Sequence, residues 1–275
     1  MTDDAVTRLQ KKLAPKRVEV DGEPYWVAEG DLLLDSAQLA EYAHQREIER
    51  AQQKLREEAE QLGVGQPATP PLAALVGILV GGKIVRWRDG AVLSYTILRN
   101  TFADEREYRV VRQAIAEARR DWEEACGVRF RHRASLDDSP TTAVSGVKFT
   151  IRKIDAGGRF IAAAFFPTDP PDRRRVLIDP SFFSPNLSFD RVGVLRHELG
   201  HVLGFRHEHI RSEAPPNCPD EDIAETINLS DYDPGSVMHY FCGSVGSREL
   251  SISETDRLAA QRVYGLSLRE YTFVD

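Results

Sequence analysis

The stretch HELGHVLGFRH, which begins at His197, constrains the fold of this chain more than any other part of the sequence. On an α-helix, residues four apart lie about 40° from each other around the axis and one turn apart along it. His197 and His201 can therefore direct two ring nitrogens at one ion, whereas Glu198 lies beside that ion instead of ligating it. Gly204 can adopt a positive φ and end the helix, so that the chain folds back and brings in His207 as a third ligand.

Three imidazoles with a fourth position left to water are typical of a catalytic zinc site, because structural zinc sites usually have four protein ligands and are rich in thiolates. The competing interpretation is an amphipathic core helix whose histidines are satisfied by hydrogen bonds. Four of the seven histidines lie between residues 197 and 209, which favours the metal. We therefore expect one Zn²⁺ on His197, His201 and His207, with Glu198 as a general base.

The composition is that of an ordinary globular protein, with 41% hydrophobic and 29% charged residues. The net charge of −7 argues against nucleic acid or an anionic membrane as the main partner. The longest apolar stretch, residues 72–82, is shorter than the roughly 20 residues that span a bilayer. It predicts a buried strand or another packed segment.

The first residues and the cysteine count bear on the compartment. Asp3 and Asp4 come first, and no apolar signal-peptide region follows them. Three cysteines are too few, and odd in number, for a disulfide framework. As written, the chain is expected to be cytoplasmic, and secretion by a route without a cleavable signal stays open.

The pattern along the chain predicts two parts, an N-terminal region at 1–80 and a metal-binding domain at 81–275. In the first part, residues 35–61 are dense in Glu, Arg, Gln and Ala and predict one long polar helix. Residues 66–71 are a proline-rich linker by composition. The second part has mixed α/β periodicity. We expect strands at 92–98, 128–133, 147–154, 160–166 and 175–178 and helices at 104–126, 189–204 and 253–264.

Two further motifs make the sequence resemble the metzincin clan of zinc endopeptidases, and within it the astacins most closely. Residues 207–211 read HEHIR, similar to the astacin extension HEHxR, and residues 236–240 read SVMHY, similar to the astacin Met-turn. The resemblance covers roughly residues 85–266. It implies an α+β zincin catalytic domain with a twisted, mostly parallel sheet, two long helices, and a small C-terminal subdomain with the Met-turn and a closing helix. A helical segment like a pro-segment would precede this domain.

The resemblance also implies roles for residues around the metal. Met238 would form the floor below the zinc, and Tyr240 would be a zinc ligand that moves away to hydrogen-bond the oxyanion as substrate enters. Taken alone, Met238 would fill the core and Tyr240 would be an ordinary half-buried phenol. Glu208 would be the buried partner of a new amino terminus, if the chain is processed.

A second resemblance lies near the N-terminus, where residues 28–32 read AEGDL. They are similar to the astacin pro-segment pattern FxGDI, with Ala28 in place of the aromatic residue. Asp31 is therefore the candidate residue that occupies the open position of the zinc and holds the enzyme latent. The alternative is a plain Gly-Asp turn between two apolar runs.

Several features depart from the astacin pattern. Cys126 matches a half-cystine of the family, but its C-terminal partner is absent; Cys218 and Cys242 could pair with each other or stay free thiols. Residues 212–233 lack the pattern DRDxY, and residues 161–179 are more similar to matrixins. The resemblance implies a latent zinc-dependent endopeptidase acting on protein or peptide substrates. The alternatives are a matrixin-like enzyme without tyrosine ligation and a permanently latent zinc-binding module.

Overall fold

The computed structural model describes residues 2–44, 46–47, 54, 75–211, 214–215, 218, 226–229 and 231–268. These residues form two parts, which we name the N-terminal unit (residues 2–44) and the main body (residues 75–268). Among them, no helix is both long and apolar enough to cross a membrane.

A five-stranded sheet is the centre of the main body, with strand order β7-β6-β8-β10-β9. All neighbours pair in parallel except β9, which is antiparallel to β10 at one edge. The strands are β6 (Val92–Ile97), β7 (Arg129–His132), β8 (Phe149–Lys153), β9 (Ala162–Ala163) and β10 (Arg175–Ile178). The predicted strand at 160–166 forms only over its middle two residues, because Asp169 bonds to the amide of Phe166 and closes a turn there (2.8 Å).

Two long helices cover one face of this sheet and pack against each other. They are α3 (Glu105–Ala125) and α4 (Arg191–Val202), and the fully buried Trp122 of α3 donates its indole N–H to the Arg196 carbonyl oxygen of α4 (2.8 Å). A closing helix, α5 (Glu254–Tyr264), begins with a capping box between Ser253 and Asp256. The expected α+β architecture, with a mostly parallel sheet and two long helices, is confirmed.

A second, small sheet lies beside the metal motif. Its strand β4 (Val76–Val80) lies between β11 (Phe205–Arg206) and β12 (Thr226–Asn228), and β5 (Lys83–Ile84) also pairs with β4. The middle of the predicted apolar segment, residues 76–80, is thus a strand of the main body, and Leu75 just before it is fully buried. The predicted boundary between residues 80 and 81 stays a prediction, although β4 packs with the residues on its C-terminal side.

The N-terminal unit contains more than the helix that the sequence predicts. It consists of α1 (Thr2–Leu13), a sheet of β1 (Arg17–Val20), β2 (Glu23–Ala28) and β3 (Leu32–Leu34), and α2 at residues 36–44. Asp21-Gly22, both with positive φ, joins β1 to β2 as a tight hairpin turn. Most of the remaining residues of the long predicted helix (35–61), and the whole predicted linker (66–71), lie outside the described residues.

Candidate metal centre

Helix α4 supplies two of the predicted metal ligands and the predicted base. Its first turn is capped by Asp190, whose carboxylate accepts a hydrogen bond from the amide of Gly193 (2.7 Å). His197 lies six residues after the start of the helix and His201 lies one turn further along it. Both rings are almost completely buried. The i, i+4 spacing therefore brings the two imidazoles together as the sequence predicts, with ring centroids 4.8 Å apart.

The turn after α4 brings the third histidine to the same place. Gly204 has φ +96°, and a Cβ at that position would meet the carbonyl oxygen of Val85 at 3.1 Å, so the turn strongly favours glycine. Phe205 and Arg206 then form β11 against β4, and His207 follows directly. The Nε2 atoms of His201 and His207 end up 3.2 Å apart.

A fourth group, the carboxylate of Asp31, completes this cluster. One ligand atom from each of Asp31, His197, His201 and His207 lies within 4.8 Å of the others, and all four residues are buried. The Asp31 oxygens are 3.3 Å from Nε2 of His197 and of His207 and 3.8 Å from Nε2 of His201. The N-terminal unit therefore places a carboxylate where the open position of a three-histidine site would be.

The hydrogen bonds of the histidines favour metal binding. Nδ1 of His197 donates to the Val237 carbonyl oxygen and Nδ1 of His201 to the Phe205 carbonyl oxygen (both 2.8 Å). Since each ring carries its proton on Nδ1, the lone pair of Nε2 points into the cluster, the usual tautomer of a ligating histidine. Within the described residues, Nε2 of His197 is buried without a hydrogen-bond partner.

Electrostatics in the cluster keep one imidazole neutral and one carboxyl charged. Burial, as the largest cause, lowers the pKa of His201 to about 4, which favours the neutral ring that binds metals. Burial raises the pKa of Asp31, but the charge of His207 and the other nearby imidazoles outweigh it and hold that pKa well below its ordinary value. The donor set is thus three nitrogens and one carboxylate oxygen, which fits a four-coordinate Zn²⁺.

Glu198 lies beside the cluster and not among its ligand atoms, as its rotation on the helix predicts. Its side chain is buried, and Oε2 has no hydrogen-bond partner among the described residues. Burial raises the pKa of Glu198 well above its ordinary value, and the charge of Asp31 adds to the effect. A carboxyl with a raised pKa is suited to take up and release protons near neutral pH.

The Met-turn lies directly below the two-histidine helix. Met238 is fully buried, and its Sδ lies so close to Gly200 that a Cβ at Gly200 would overlap it. The turn is fixed to α5 by Asp256, whose carboxylate accepts hydrogen bonds from the Ser236 hydroxyl (2.6 Å) and the Val237 amide (2.8 Å). The carbonyl that orients His197 therefore belongs to a turn that α5 holds in place.

Tyr240 follows the Met-turn and contacts the N-terminal unit. Its hydroxyl donates a short hydrogen bond to Oδ2 of Asp31, and its ring stacks on His197 with centroids 5.5 Å apart. Gly30 makes this approach possible, since a Cβ there would lie 2.7 Å from the tyrosine oxygen and φ is +97°. On the other side, the buried ring of His209 stacks on Tyr240 at 4.7 Å.

Glu208, the predicted partner of a new amino terminus, is completely buried. Its Oε1 accepts hydrogen bonds from Nη1 of Arg211 and from the amide of Asp233, both at 3.0 Å. Oε2 has no partner among the described residues, and burial raises the pKa of Glu208 to about 8. Oε2 of Glu208 can therefore accept a hydrogen bond from one more cationic donor.

Two features of the site escaped the sequence analysis. Glu29 forms a buried ion pair with Arg206 (2.7 Å), accepts a hydrogen bond from the Tyr42 hydroxyl (2.8 Å), and has Oε2 3.6 Å from Nδ1 of His207. Its place inside the AEGD motif was the available signal. The second feature is that Asp256, which also caps helix α5, holds the Met-turn.

The cysteines resolve the alternative that the sequence left open. Cys218 and Cys242 form a disulfide, with Cα atoms 5.1 Å apart, and Cys126 is a buried free thiol. The disulfide joins the segment after Arg211 to the residues just beyond Tyr240. It therefore links two walls that flank the cluster.

Comparisons with known proteins find sequence similarity to zinc peptidases. The sequence model of the matrixin peptidase family matches residues 86–214, just under half of the chain. Zinc metalloproteinase nas-3 of Caenorhabditis elegans is 31% identical over 49% of this chain and 48% of its own length. Tolloid-like protein 2 of Homo sapiens is 36% identical over 28% of this chain and 7% of its own. The chain thus spans about half, or much less, of the curated relatives that it matches.

Among solved structures, myroilysin aligns with a TM-score of 0.44 and 15% identity, covering 65% of this chain and 95% of that one. A hatching enzyme zinc-protease from Oryzias latipes aligns with a TM-score of 0.40 and 18% identity, covering 66% of this chain and 94% of that one.

Proposed function

We propose that this chain, which is an astacin-like member of the metzincin clan, is a zinc-dependent endopeptidase held latent by its own N-terminal unit. The observation that carries the proposal is the buried cluster of Asp31 with His197, His201 and His207, next to Glu198. The matrixin match and the relatives named as zinc metalloproteinases support it. The reaction is the hydrolysis of a peptide bond in a protein or peptide substrate.

The metal in this proposal is one zinc ion on His197, His201 and His207. When bound, zinc supplies Lewis-acid chemistry, because it polarises the scissile carbonyl and makes water nucleophilic near neutral pH. The chain's contribution is to hold the rings in one tautomer and orientation, through the carbonyl oxygens of Val237 and Phe205.

Glu198 moves the proton in this mechanism. Its carboxylate accepts a proton from the attacking water and passes it to the nitrogen of the leaving amine, so it acts first as base and then as acid. Burial raises its pKa, which makes the carboxylate a stronger base for the first of these two steps. A zinc site of purely structural purpose has no use for this residue.

Tyr240 stabilises the charge that develops on the substrate. In the latent chain its hydroxyl is bound to Asp31. Once Asp31 leaves, that hydroxyl can donate to the oxyanion, a contribution whose loss commonly slows hydrolysis by about 10²-fold or more. This dual use of one hydroxyl couples latency to catalysis.

Asp31 is the residue that blocks the site. Its carboxylate lies among the three Nε2 atoms, where the substrate carbonyl and the attacking water have to come. With Asp31 as fourth ligand, the zinc would have four protein ligands, which is the closed arrangement of sites without catalytic activity. Latency therefore lasts as long as the N-terminal unit stays docked.

Glu208 has a part in activation. The amino end of β4 lies opposite Arg206 in the register of the small sheet, two residues before Glu208. A cut shortly before Leu75 would release a new amino group on the strand that pairs with the residues preceding Glu208, and we propose Oε2 of Glu208 as its partner. An ammonium there would neutralise a carboxylate that burial otherwise destabilises.

The disulfide bears on the compartment in which this chain acts. Disulfides persist in oxidising compartments and are rare where cytosolic thiols keep cysteines reduced. The Cys218–Cys242 bridge supports an oxidising compartment, in contrast to the cytoplasmic expectation. Alkylation of the native protein before and after reduction, followed by mass measurement, tests this: two thiols should become reactive only after reduction.

Chelator-sensitive cleavage of casein, before and after removal of residues 1–74, tests the proposed function, with zinc content measured alongside. We expect strong activity only in the shortened protein, and its loss with 1,10-phenanthroline. If the shortened, zinc-loaded protein is folded and still inactive on casein and on a peptide library, the chain is a permanently latent zinc-binding module. A library profile from the active protein would also define its sequence preference.

A further inference from the structure

The N-terminal unit contacts the main body far from the metal cluster, at the tip of the β1–β2 hairpin. There Asp21 accepts hydrogen bonds from both Nη atoms of Arg152, at 2.7 Å for Nη1, and lies 3.9 Å from Arg175. The side chain of Arg152 is only 6% exposed although it is charged. A buried guanidinium without a counter-charge is unfavourable, so the hairpin supplies a carboxylate that the sheet needs.

An apolar contact lies next to this ion pair, between the hairpin and the outer face of the five-stranded sheet. We name it the hairpin cluster. Its members from the hairpin are Val18, Val20, Tyr25 and Val27, and those from the main body are Ala156, Phe160, Ala163 and Leu177. All are buried, so that separation of the two parts would expose apolar surface on each of them to water. The guanidinium of Arg175 also lies over the Tyr25 ring at 5.0 Å.

A second arginine–carboxylate pair lies at the other end of the interface, beside the metal cluster. Glu29 and Arg206 are 2.7 Å apart, with side chains 2% and 11% exposed. The Tyr42 hydroxyl also donates to Glu29. Glu29 also lies 3.6 Å from Nδ1 of His207, so this pair adjoins a proposed zinc ligand and holds the residues that flank Asp31.

Helix α2 extends the same pattern. Asp35 at its start forms an ion pair with Arg173, and Gln38 donates to Asp169 at 2.7 Å. In the ion pairs of this interface, the N-terminal unit contributes the carboxylates Asp21, Glu29 and Asp35, and the main body contributes arginines. The two surfaces are therefore complementary in charge as well as in apolar surface.

We propose that Arg152, Arg175, Arg206 and the main-body side of the hairpin cluster form a docking surface that keeps the N-terminal unit bound after the chain is cut. This inference rests on the proposed function, since docking matters because it holds Asp31 in the site. A cut within residues 45–74 then leaves the enzyme latent. Activation requires a second event, the dissociation or degradation of the released fragment.

The physical requirement is that docking survives the loss of the covalent link. A covalent link raises the effective concentration of one part at the other, to about millimolar for short links in general, and cutting it leaves only the actual concentration of the fragment. Two charge pairs and an apolar cluster are contacts that do not depend on the link. Because ions screen the half-exposed Asp21–Arg152 pair more than the buried Glu29–Arg206 pair, the released fragment should dissociate somewhat more readily at high salt.

The experiment uses the full chain with the recognition sequence of a specific protease placed in the linker at 66–71. A Glu198→Gln background prevents self-cleavage, and zinc is present throughout. After complete nicking, size-exclusion chromatography at micromolar concentration should show both fragments in one peak at low salt. Two peaks at low salt would overturn the proposal.

Variants of the interface sharpen this test. Glu29→Gln should weaken retention of the fragment by about 30-fold or more, because it removes one charge of a buried ion pair. Asp21→Asn should weaken it by about fivefold, since the side chain of Asp21 is 42% exposed. The matched control is Glu23→Gln, an exposed carboxylate of the same hairpin, which should change nothing. Equal retention in all three variants would also overturn the proposal.

Two readouts keep this inference separate from the proposed function. Each variant is first checked uncut, by its melting temperature and elution volume, so that loss of retention is not loss of folding. Retention is a binding measurement on an inactive variant and does not require hydrolysis. If the fragments separate and the protein with intact Glu198 becomes active on nicking, the docking proposal is wrong and the proposed endopeptidase function stands. If the fragments stay together and no form of the protein is ever active, the docking proposal stands and the proposed function is wrong.

Discussion

The main body and the N-terminal unit both contribute to the metal cluster, but they hold their contributions by different forces. His197 and His201 lie on one buried helix, and backbone carbonyls of the same body orient their rings. Asp31 reaches the cluster from a turn in which Glu29 and Gly30 have positive φ, and side-chain ion pairs across an interface hold that turn. The histidine ligands are therefore held within one body, whereas the blocking carboxylate is held only by contacts between two parts that can separate.

The largest effect is expected from a comparison of two N-terminal deletions, which should differ in folding and in activity. Removal of residues 1–74 leaves β4 in place and removes the blocking unit, so the protein should fold and hydrolyse casein. Removal of residues 1–80 also deletes β4, the strand between β11 and β12. The strand β11, which directly precedes His207, then loses its pairing with β4. We expect that protein to be insoluble or unfolded by circular dichroism. Equal folding and activity of the two would show that β4 does not support the site.

Glu198→Gln, made in the protein that lacks residues 1–74, should lower kcat by about 10⁴-fold, because no other residue of the described chain is placed to move the proton. Zinc content should stay unchanged, since Glu198 is not among the ligand atoms. Glu254→Gln, an exposed carboxylate of α5, is a control that should keep full activity. Activity near that of the parent in Glu198→Gln would rule out the mechanism.

Tyr240→Phe in the same shortened protein should lower kcat by about 10²-fold through the loss of an oxyanion donor, with little change in KM. The phenyl ring can keep the stacking on His197 and His209, so the fold is preserved. A matrixin-like site without a tyrosine ligand should tolerate this change. Unchanged kcat would therefore favour that alternative.

Asp31→Ala in the uncut chain should raise the rate of casein hydrolysis by about 30-fold, because the charged group that blocks the metal site is lost. The rest of the N-terminal unit should stay docked. Asp3→Ala, far from the cluster in sequence, serves as the control. The comparison of the two regions predicts that this gain is smaller than that from removal of the whole unit. No gain at all would mean that Asp31 does not block the site.

Asp256→Asn should destabilise the main body by about 1–3 kcal/mol, because an amide cannot accept all the hydrogen bonds that Ser236, Val237 and Ser253 donate to the carboxylate. Chemical denaturation of the shortened protein measures this. The charge-neutralising control Glu254→Gln, at an exposed carboxylate two residues earlier, should have little effect. A stable Asp256→Asn protein would show that α5 does not anchor the Met-turn.

The same difference explains how much could be predicted from the sequence. Within the main body, local rules were sufficient: the helical spacing of His197 and His201 and the glycine at 204 place three histidines together without knowledge of distant contacts. The alternation of apolar and polar residues likewise predicted the strands β7 and β8. These features depend on residues a few positions apart, where helix and turn geometry decide.

The N-terminal unit was predicted less well because its contacts are long-range. Asp31 was found through its resemblance to a motif, yet nothing local indicates that Asp21 meets Arg152 or that Glu29 meets Arg206. The sequence does contain a hairpin signal there, in the Asp21-Gly22 turn and the alternating residues around it, but no hairpin was predicted. Short strands of four to six residues form there because the sheet of the main body covers their apolar side chains.

The most direct test of the account is zinc X-ray absorption on the uncut protein and on its Asp31→Ala variant, with metal content measured by elemental analysis. We predict one zinc ion per chain in both. The uncut protein should show three nitrogen ligands and one protein oxygen, and the variant should show water in place of the carboxylate. Absence of zinc at stoichiometric level, or identical spectra for the two proteins, would contradict a three-histidine site blocked by Asp31.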